Sequence, residues 1–285
     1  MTIYKIINLS TGRLLEMFED NNILYKDLNV LLTNVNGLDI PFNTNWKKIG
    51  VNLSGGADSA LLTYLLCKII SDNNLSTKID VITYTRCWTS RPWQGHISMQ
   101  VFDKIKSMFP DIIQDRHTAF IPPELEHGVI GNIINDRSGD QIIVGSFNGY
   151  IAWEKNFDAV FNATSKNYDD SRTDRMLNRD KDAENGELTD LWFSNSKMNF
   201  CYPFKFVKKD WIIANYYLHN ILDLLSLTRS CEGDINMHEI IKHYCEDFTK
   251  YVPGMYIPEC QDCWWCKERE WAHSRVEQVI EEIKK

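Results

Sequence analysis

The chain contains no apolar run approaching the roughly twenty residues that a bilayer-crossing helix needs. A helical membrane span is thereby excluded. It also lacks a surplus of positive charge: 31 Lys and Arg stand against 39 Asp and Glu, for a formal net charge of -8. Binding along a phosphate backbone needs an excess of Lys and Arg on some face, so nucleic acid is not an expected partner. The opening stretch MTIYKIINLSTGRLLEMFED has no basic start, apolar core and small-residue cleavage site in succession, and the expected location is the cytoplasm. Internal repeats are absent, as is the GxxxxGK loop of Walker-type nucleotide sites.

What is present suits a folded enzyme-sized domain. The 285 residues, 44% hydrophobic and 25% charged, allow one large α/β domain or a domain with a small appendage. Three regions are expected: an extension over 1–45, an α/β domain over 46–225, and a C-terminal helical region over 226–285. In the first, IYKIINL and NNILYKDL read as strands of a small hairpin unit. KKIGVNL (Lys47 to Leu53) then reads as a buried strand, followed by helical spacing from Leu61 to Ile70. KIDVITYT (Lys78 to Thr85) is a second strand and HISMQVFDKIKSMF (His96 to Phe109) an amphipathic helix stopped by Pro110. QIIVGSF (Gln141 to Phe147) reads as a third strand, NFDAVFNATSK (Asn156 to Lys166) as a helix, and another helix runs from about Lys209 to Leu222. Strands and helices alternating in this way predict a parallel twisted sheet with helices on both faces. Between them, Asn167 to Asp190 is charged and nearly free of large apolar residues, which predicts an excursion from the core.

Ser54-Gly55-Gly56-Ala57-Asp58-Ser59 falls between a predicted strand and a predicted helix. Glycines there let the backbone approach an anion closely, and the helix aims its free N–H groups at the same point. Ser54 and Ser59 add hydroxyl donors. Asp58 would repel phosphate unless a cation lies between them, so Mg²⁺ is implied. SGGADS resembles the SGGxDS signature of the PP-loop ATP-pyrophosphatases. That resemblance implies ATP as co-substrate, an adenine nucleotide alpha-hydrolase-like fold, and adenylation of a carboxylate or carbonyl oxygen with release of pyrophosphate.

Eight cysteines are present, and Cys260, Cys263 and Cys266 recur at intervals of three. Overlapping CxxC units suit thiolates converging on one ion, with zinc expected and an iron–sulfur cluster open on spacing alone. The fourth ligand is to be found among Cys231, Cys245, His243 and His273. Cys67, Cys87, Cys201 and Cys245 sit among apolar or aromatic neighbours and read as core thiols.

The C-terminal half resembles one branch, the 7-cyano-7-deazaguanine synthases. The matching residues are Tyr202-Pro203-Phe204, Lys209 ahead of Asp210-Trp211-Ile212, Ser230-Cys231, the three clustered cysteines, and Arg269. The resemblance implies that Cys231 completes a Zn²⁺ site with Cys260, Cys263 and Cys266, and that Lys209 faces the ATP phosphates. It implies further that a deazaguanine-like carboxylate is converted with ammonia to an amide and then a nitrile. The departures are equally specific. Residues 1–45 have no counterpart, and Thr83 to Trp88 replaces an aromatic-Gly-Gln segment. Val144 to Tyr150 keeps Gly145 and Asn148 of a Gly-Ala-Asn-x-x-Asp stretch without its acidic residue. Gly145 is accordingly expected at the nucleotide. Arg86, Trp88 and Asn148 are expected at the substrate, with Arg91 beside them. No glutaminase segment is evident, and a homodimer is compatible with the sequence. The rival readings are a PP-loop adenylating enzyme for another carboxylate or nucleobase substrate, and a nucleotide-binding module without catalysis.

Overall fold

The computed structural model describes residues 4–8, 13–17, 30–86, 93–121, 139–166, 192–195, 198–231 and 259–285. The expected strand NNILYKDL, the charged stretch 167–190, Cys87, Trp88, Arg91, His243 and Cys245 lie outside them. Five strands run parallel: β5 (Lys48–Asn52), β6 (Lys78–Arg86), β7 (Ile113–Ile121), β8 (Ala159–Phe161) and β10 (Met198–Cys201). With β9 (Trp192–Asn195), antiparallel at one edge, they form a six-stranded sheet in the order β7-β6-β5-β8-β10-β9. Two antiparallel hairpins precede it, β1 (Tyr4–Asn8) with β2 (Arg13–Met17) and β3 (Val30–Val35) with β4 (Leu38–Asn43).

Alternation along the central strands sends side chains into two cores. Ile49, Val51, Ile79, Val81, Ala159 and Phe161 belong to the larger one. It is filled from α1 (Ala57–Asp72), α2 (Gln94–Met108), α4 (Lys209–Leu218) and α5 (Leu222–Leu227). Ile82, Tyr84 and Val160 face the other way, against Ile151 and Ala152 of α3 (Gly139–Glu154). Helices therefore cover both faces, as the strand–helix rhythm predicts. Gly50 has a packing reason to be glycine: a Cβ there would sit 2.7 Å from the Phe157 ring.

Two expected elements are exchanged. Gln141 to Phe147, read as a strand, lies inside helix α3. Asn156 to Lys166, read as a helix, contains strand β8. β8 is a central strand buried on both faces, so its apolar residues do not alternate with polar ones, and Phe157, Val160 and Phe161 mimic helical spacing. The Ile-Ile-Val run of α3 favours a strand by local propensity, but packing of the helix's later turns decides. The predicted helix from Lys209 ends at Leu218, where Asn220 takes a positive φ of 54° and a separate short helix follows.

The β3–β4 hairpin, within the expected N-terminal extension, is part of the main core. Ile40 and Phe42 are fully buried, and Phe42 packs on Trp46 and Phe161. Its tip is pinned to α4 by Asn36, which donates to Asn215 at 2.6 Å and accepts from the Trp211 indole at 3.0 Å. At the other end, α6 (Trp264–Ser274) and α7 (Val276–Ile283) lay Ala272 and Val276 into the same core. Among the described residues, no helix is long and apolar enough to cross a membrane.

Candidate functional site

The chain leaves β5 for β6 on one side, while β8 lies on the other. Open α/β sheets bind ligands at such a reversal, beyond the carboxyl ends of the strands. Ser54 to Gly56 occupies that point, followed directly by α1. A cleft of about 250 Å³ opens there.

The loop is held by its own groups. The Ser54 amide donates to Ser59 Oγ at 3.1 Å, and Ser59 Oγ donates to the Gly56 carbonyl at 3.1 Å. Gly55 adopts φ +82°, and a Cβ on it would lie 2.8 Å from both the Ile97 side chain and the Ser98 backbone nitrogen. Left-handed backbone and close packing together require glycine. No side chain caps α1, so its first-turn amides and the positive end of a 16-residue helix remain available to an anion. Ser54, Gly56, Asp58 and Ser59 line the cleft; Gly55 and Ala57 shape it from behind.

Lys209 opens α4 and is almost wholly buried, although lysine is rarely so unless paired. Its ammonium hydrogen-bonds to Asp58 Oδ2 and lies 3.7 Å from Glu268 Oε2. Glu268 comes from α6, and its side chain is 1% exposed. The three charges tie together the Ser54–Ser59 loop, the α4 N-terminus and the cysteine region. Glu268 was not foreseen from the sequence. An acidic residue two positions past a cysteine looks like a surface charge until α6 is docked.

The cysteine region also builds the cleft wall. The Arg229 amide donates to the Gly55 carbonyl at 2.9 Å, and Arg229, Ser230 and Trp265 line the cleft. Arg269 staples this segment by donating to the Thr228 carbonyl at 2.9 Å and the Leu225 carbonyl at 3.1 Å. Cys231 follows Ser230, and the sulfurs of Cys231, Cys260, Cys263 and Cys266 all lie within 4.8 Å of one another. Neighbouring pairs are 3.6 Å (Cys263–Cys266) and 4.0 Å (Cys231–Cys263, Cys260–Cys266) apart. A tetrahedral ion with metal–sulfur bonds of about 2.3 Å would separate its sulfurs by roughly 3.8 Å. The set fits one such ion. In a cubane cluster each sulfur binds a different iron, which spreads the ligands more widely.

Burial and then the Cys263 charge push the Cys266 thiol up to about 12. Hydrogen bonding with Cys263, then burial, push Cys231 higher still. As thiolates at this spacing the four would repel one another, and a bound dication would offset that repulsion. Cys67 and Cys201, by contrast, are buried in the core and shifted upward by desolvation, as expected of inert thiols.

The remaining expected residues are placed differently. Asn148 is buried behind the cleft, accepting a 2.5 Å hydrogen bond from the hydroxyl of the cleft-lining Tyr84. Gly145 is exposed on α3 with open space around its Cα and does not line the cleft, because that segment is helical. The side chain of Arg86 lies outside the description.

No protein-family model matches the chain, and no curated protein matches it. Among solved structures it is similar to the U34-tRNA thiolase NcsA from Methanococcus maripaludis with its 4Fe-4S cluster. That similarity has 11% identity and a TM-score of 0.43, covering 84% of this chain and 72% of that chain.

Proposed function

We propose that this protein is an ATP-dependent adenylating enzyme whose Ser54–Ser59 loop binds the nucleotide triphosphate. One observation carries the reading. An uncapped helix start preceded by a left-handed glycine opens on a cleft at the sheet's reversal point, with a buried lysine held at its aspartate. Charge accumulates on the leaving pyrophosphate during attack at the α-phosphate, and fixed N–H donors aimed at it lower the barrier. Ser54 adds a hydroxyl donor to the same oxygens, and Ser59, whose proton is held by the Gly56 carbonyl, orders the loop. Lys209 neutralises part of the phosphate charge. Asp58, whose Oδ1 has no partner, would hold Mg²⁺, which would supply the remaining charge neutralisation.

The reaction we favour is carbon–nitrogen ligation. A substrate carboxylate oxygen attacks the α-phosphorus, the bond to the bridging oxygen breaks, and pyrophosphate leaves. Ammonia then attacks the acyl carbon, AMP departs with the bonding pair, and an amide remains. The resemblance in the C-terminal half makes 7-carboxy-7-deazaguanine the first substrate to try, with the amide as first product. Its nitrile would follow once the amide oxygen attacks the α-phosphorus of a second ATP, pyrophosphate leaves, and that oxygen departs with AMP as the nitrogen loses its two protons. Zinc would be held by Cys231, Cys260, Cys263 and Cys266, and its role would be structural, since four thiolates leave no open position.

The test is release of pyrophosphate from Mg-ATP with 7-carboxy-7-deazaguanine and ammonium, followed by a panel of other carboxylates. Release that requires an acid and disappears in Asp58→Asn supports the reading. If no acid elicits release from protein that binds ATP, the ligase reading is lost.

A further inference from the structure

Two carboxamides at the cleft carry buried polar atoms without a hydrogen-bond partner. Asn52 ends β5 immediately before the phosphate loop, and both its Oδ1 and its Nδ2 are buried and unsatisfied. Gln94 begins α2, is 6% exposed, and its Oε1 is likewise unsatisfied. Both line the cleft. A buried amide group left unpaired is costly, and folded proteins keep few of them. Polar atoms left unpaired in this way, collected at a cleft, are suited to pairing with something that enters it.

The neighbouring side chains restrict what that can be. Strands β5 and β6 and the start of α2 contribute only Asn52, Tyr84, Trp93, Gln94 and Ile97 to the lining. The cleft's charged residues, Asp58 and Arg229, come from the helix after the loop and from the cysteine region. Tyr84 has committed its hydroxyl to Asn148, so it offers a ring rather than a donor. Aromatic walls with unpaired amide donors and acceptors, and no charge, match a neutral planar heterocycle. One amide group can make two parallel hydrogen bonds to a base edge that carries a donor beside an acceptor.

We infer that Asn52 and Gln94 form the base-reading end of the cleft, pairing with the edge of a nucleobase-type heterocycle. This deepens the adenylating reading and rests on it for the identity of the cleft. The heterocycle has two sources, the adenine of ATP itself or a purine-like acceptor substrate.

The experiment is calorimetric titration of the full-length, metal-loaded protein and of Asn52→Leu, Asn52→Asp and Gln94→Leu. The probes are Mg-ATP, Mg-tripolyphosphate, adenosine, and guanosine added in the presence of saturating ATP. Asn52→Leu is expected to weaken one base-bearing probe by about 10- to 100-fold, the usual worth of a paired base edge, with tripolyphosphate unchanged. Loss on ATP and adenosine assigns the site to the nucleotide's base; loss on guanosine alone assigns it to the acceptor. Asn52→Asp, which keeps the shape and removes the donor, should change the preference between adenosine and guanosine. Variants that bind every probe as the parent does would overturn the inference, with water satisfying the amides. Equal loss of tripolyphosphate in the uncharged Asn52→Leu would overturn it too. If the parent protein ignores both polyphosphates yet binds a nucleoside through Asn52, the loop reading falls and this inference stands. If it binds no probe, both fall.

Discussion

The Ser54–Ser59 loop and the four-cysteine cluster lie side by side, yet they are held together in different ways. The loop is complete as peptide: a glycine in the left-handed region, two serines bonded back to the backbone, and a helix propagated from it. All its parts come from six consecutive residues. The cysteine centre gathers sulfurs separated by up to 35 positions, from Cys231 to Cys266, and packs them within 4.8 Å. Burial and mutual contact raise the Cys231 and Cys266 thiols, so the peptide alone opposes the charged form an ion would need. The loop is ordered by its own hydrogen bonds, whereas the cysteines would need a bound ion to be held as thiolates. They meet where the Arg229 amide donates to the Gly55 carbonyl, so the cysteine region holds one wall of the loop.

The largest test of this contrast is metal removal. Apparent binding energies for structural zinc reach about 10–16 kcal/mol in small peptides, far above the net stability of most domains. Chelation, or Cys263→Ser, is expected to abolish protection of α6 and α7 in hydrogen exchange while α1 remains protected. Equal loss of protection in α1 would break the comparison. The tetrahedral spacing also predicts about one zinc per chain by elemental analysis, without iron.

Next comes Lys209→Met, which strikes the link between the regions. It leaves Asp58 and Glu268 without their shared cation, and unpairing a buried charge costs about 3–5 kcal/mol. Thermal unfolding should register that loss. Loss of one charge-stabilising group should also cut pyrophosphate release by about 100- to 1,000-fold. Glu268→Leu should be far milder on activity, because Asp58 still pairs with the lysine; a comparable loss would move Glu268 into the site itself.

Much of this contrast was legible in the sequence, and unevenly so. SGGADS and the CxxCxxC run could be read because each is local: the chemistry fits within a few residues. Long-range partners could not. Glu268 meets Lys209 only after α6 docks on α4, and Ser230 reaches Gly56 only after the C-terminal segment closes over the loop. The parallel sheet was predictable from KIGVN and KIDVITYT, whereas β7 was missed. Its Asp115, Arg116 and His117 interrupt the apolar pattern because Asp80, buried in the next strand, accepts from His117 or ion-pairs with it at 2.6 Å and pairs with Lys48 at 2.8 Å. Gly145 and Asn148 were assigned by likeness to a loop that is helix here. Tyr84, one layer closer, lines the cleft in their place.

A smaller effect is expected from Gly55→Ala. The added methyl meets the Ser98 backbone nitrogen, which cannot move aside as a side-chain tip can. Overpacking of this kind costs about 1–3 kcal/mol. ATP and tripolyphosphate binding should both weaken, while zinc content stays the same. Zinc loss in this variant would show that the loop supports the cysteine centre as well as the reverse.

The smallest expected effect separates the two regions by acidity. Burial, then Lys68, lowers the His219 pKa, and its Nε2 has no partner beside the Tyr64 ring. Burial, then Arg269, lowers that of His273 on α6. A depressed histidine takes up its proton more readily in the unfolded chain. Its contribution is therefore fully present above the unfolded value near 6.5 and is lost as pH falls through the folded one. Stability should decline on acidification below about pH 6.5, with His219 weakening the sheet domain and His273 the cysteine region. His219→Phe keeps a ring against Tyr64 and removes the titration, so the acid-side slope of the α1 hydrogen-exchange stability should flatten while that of α6 persists. A variant whose slopes in both helices flatten together would mean that the two regions unfold as one unit, and the contrast between them would hold for their chemistry but not for their stability.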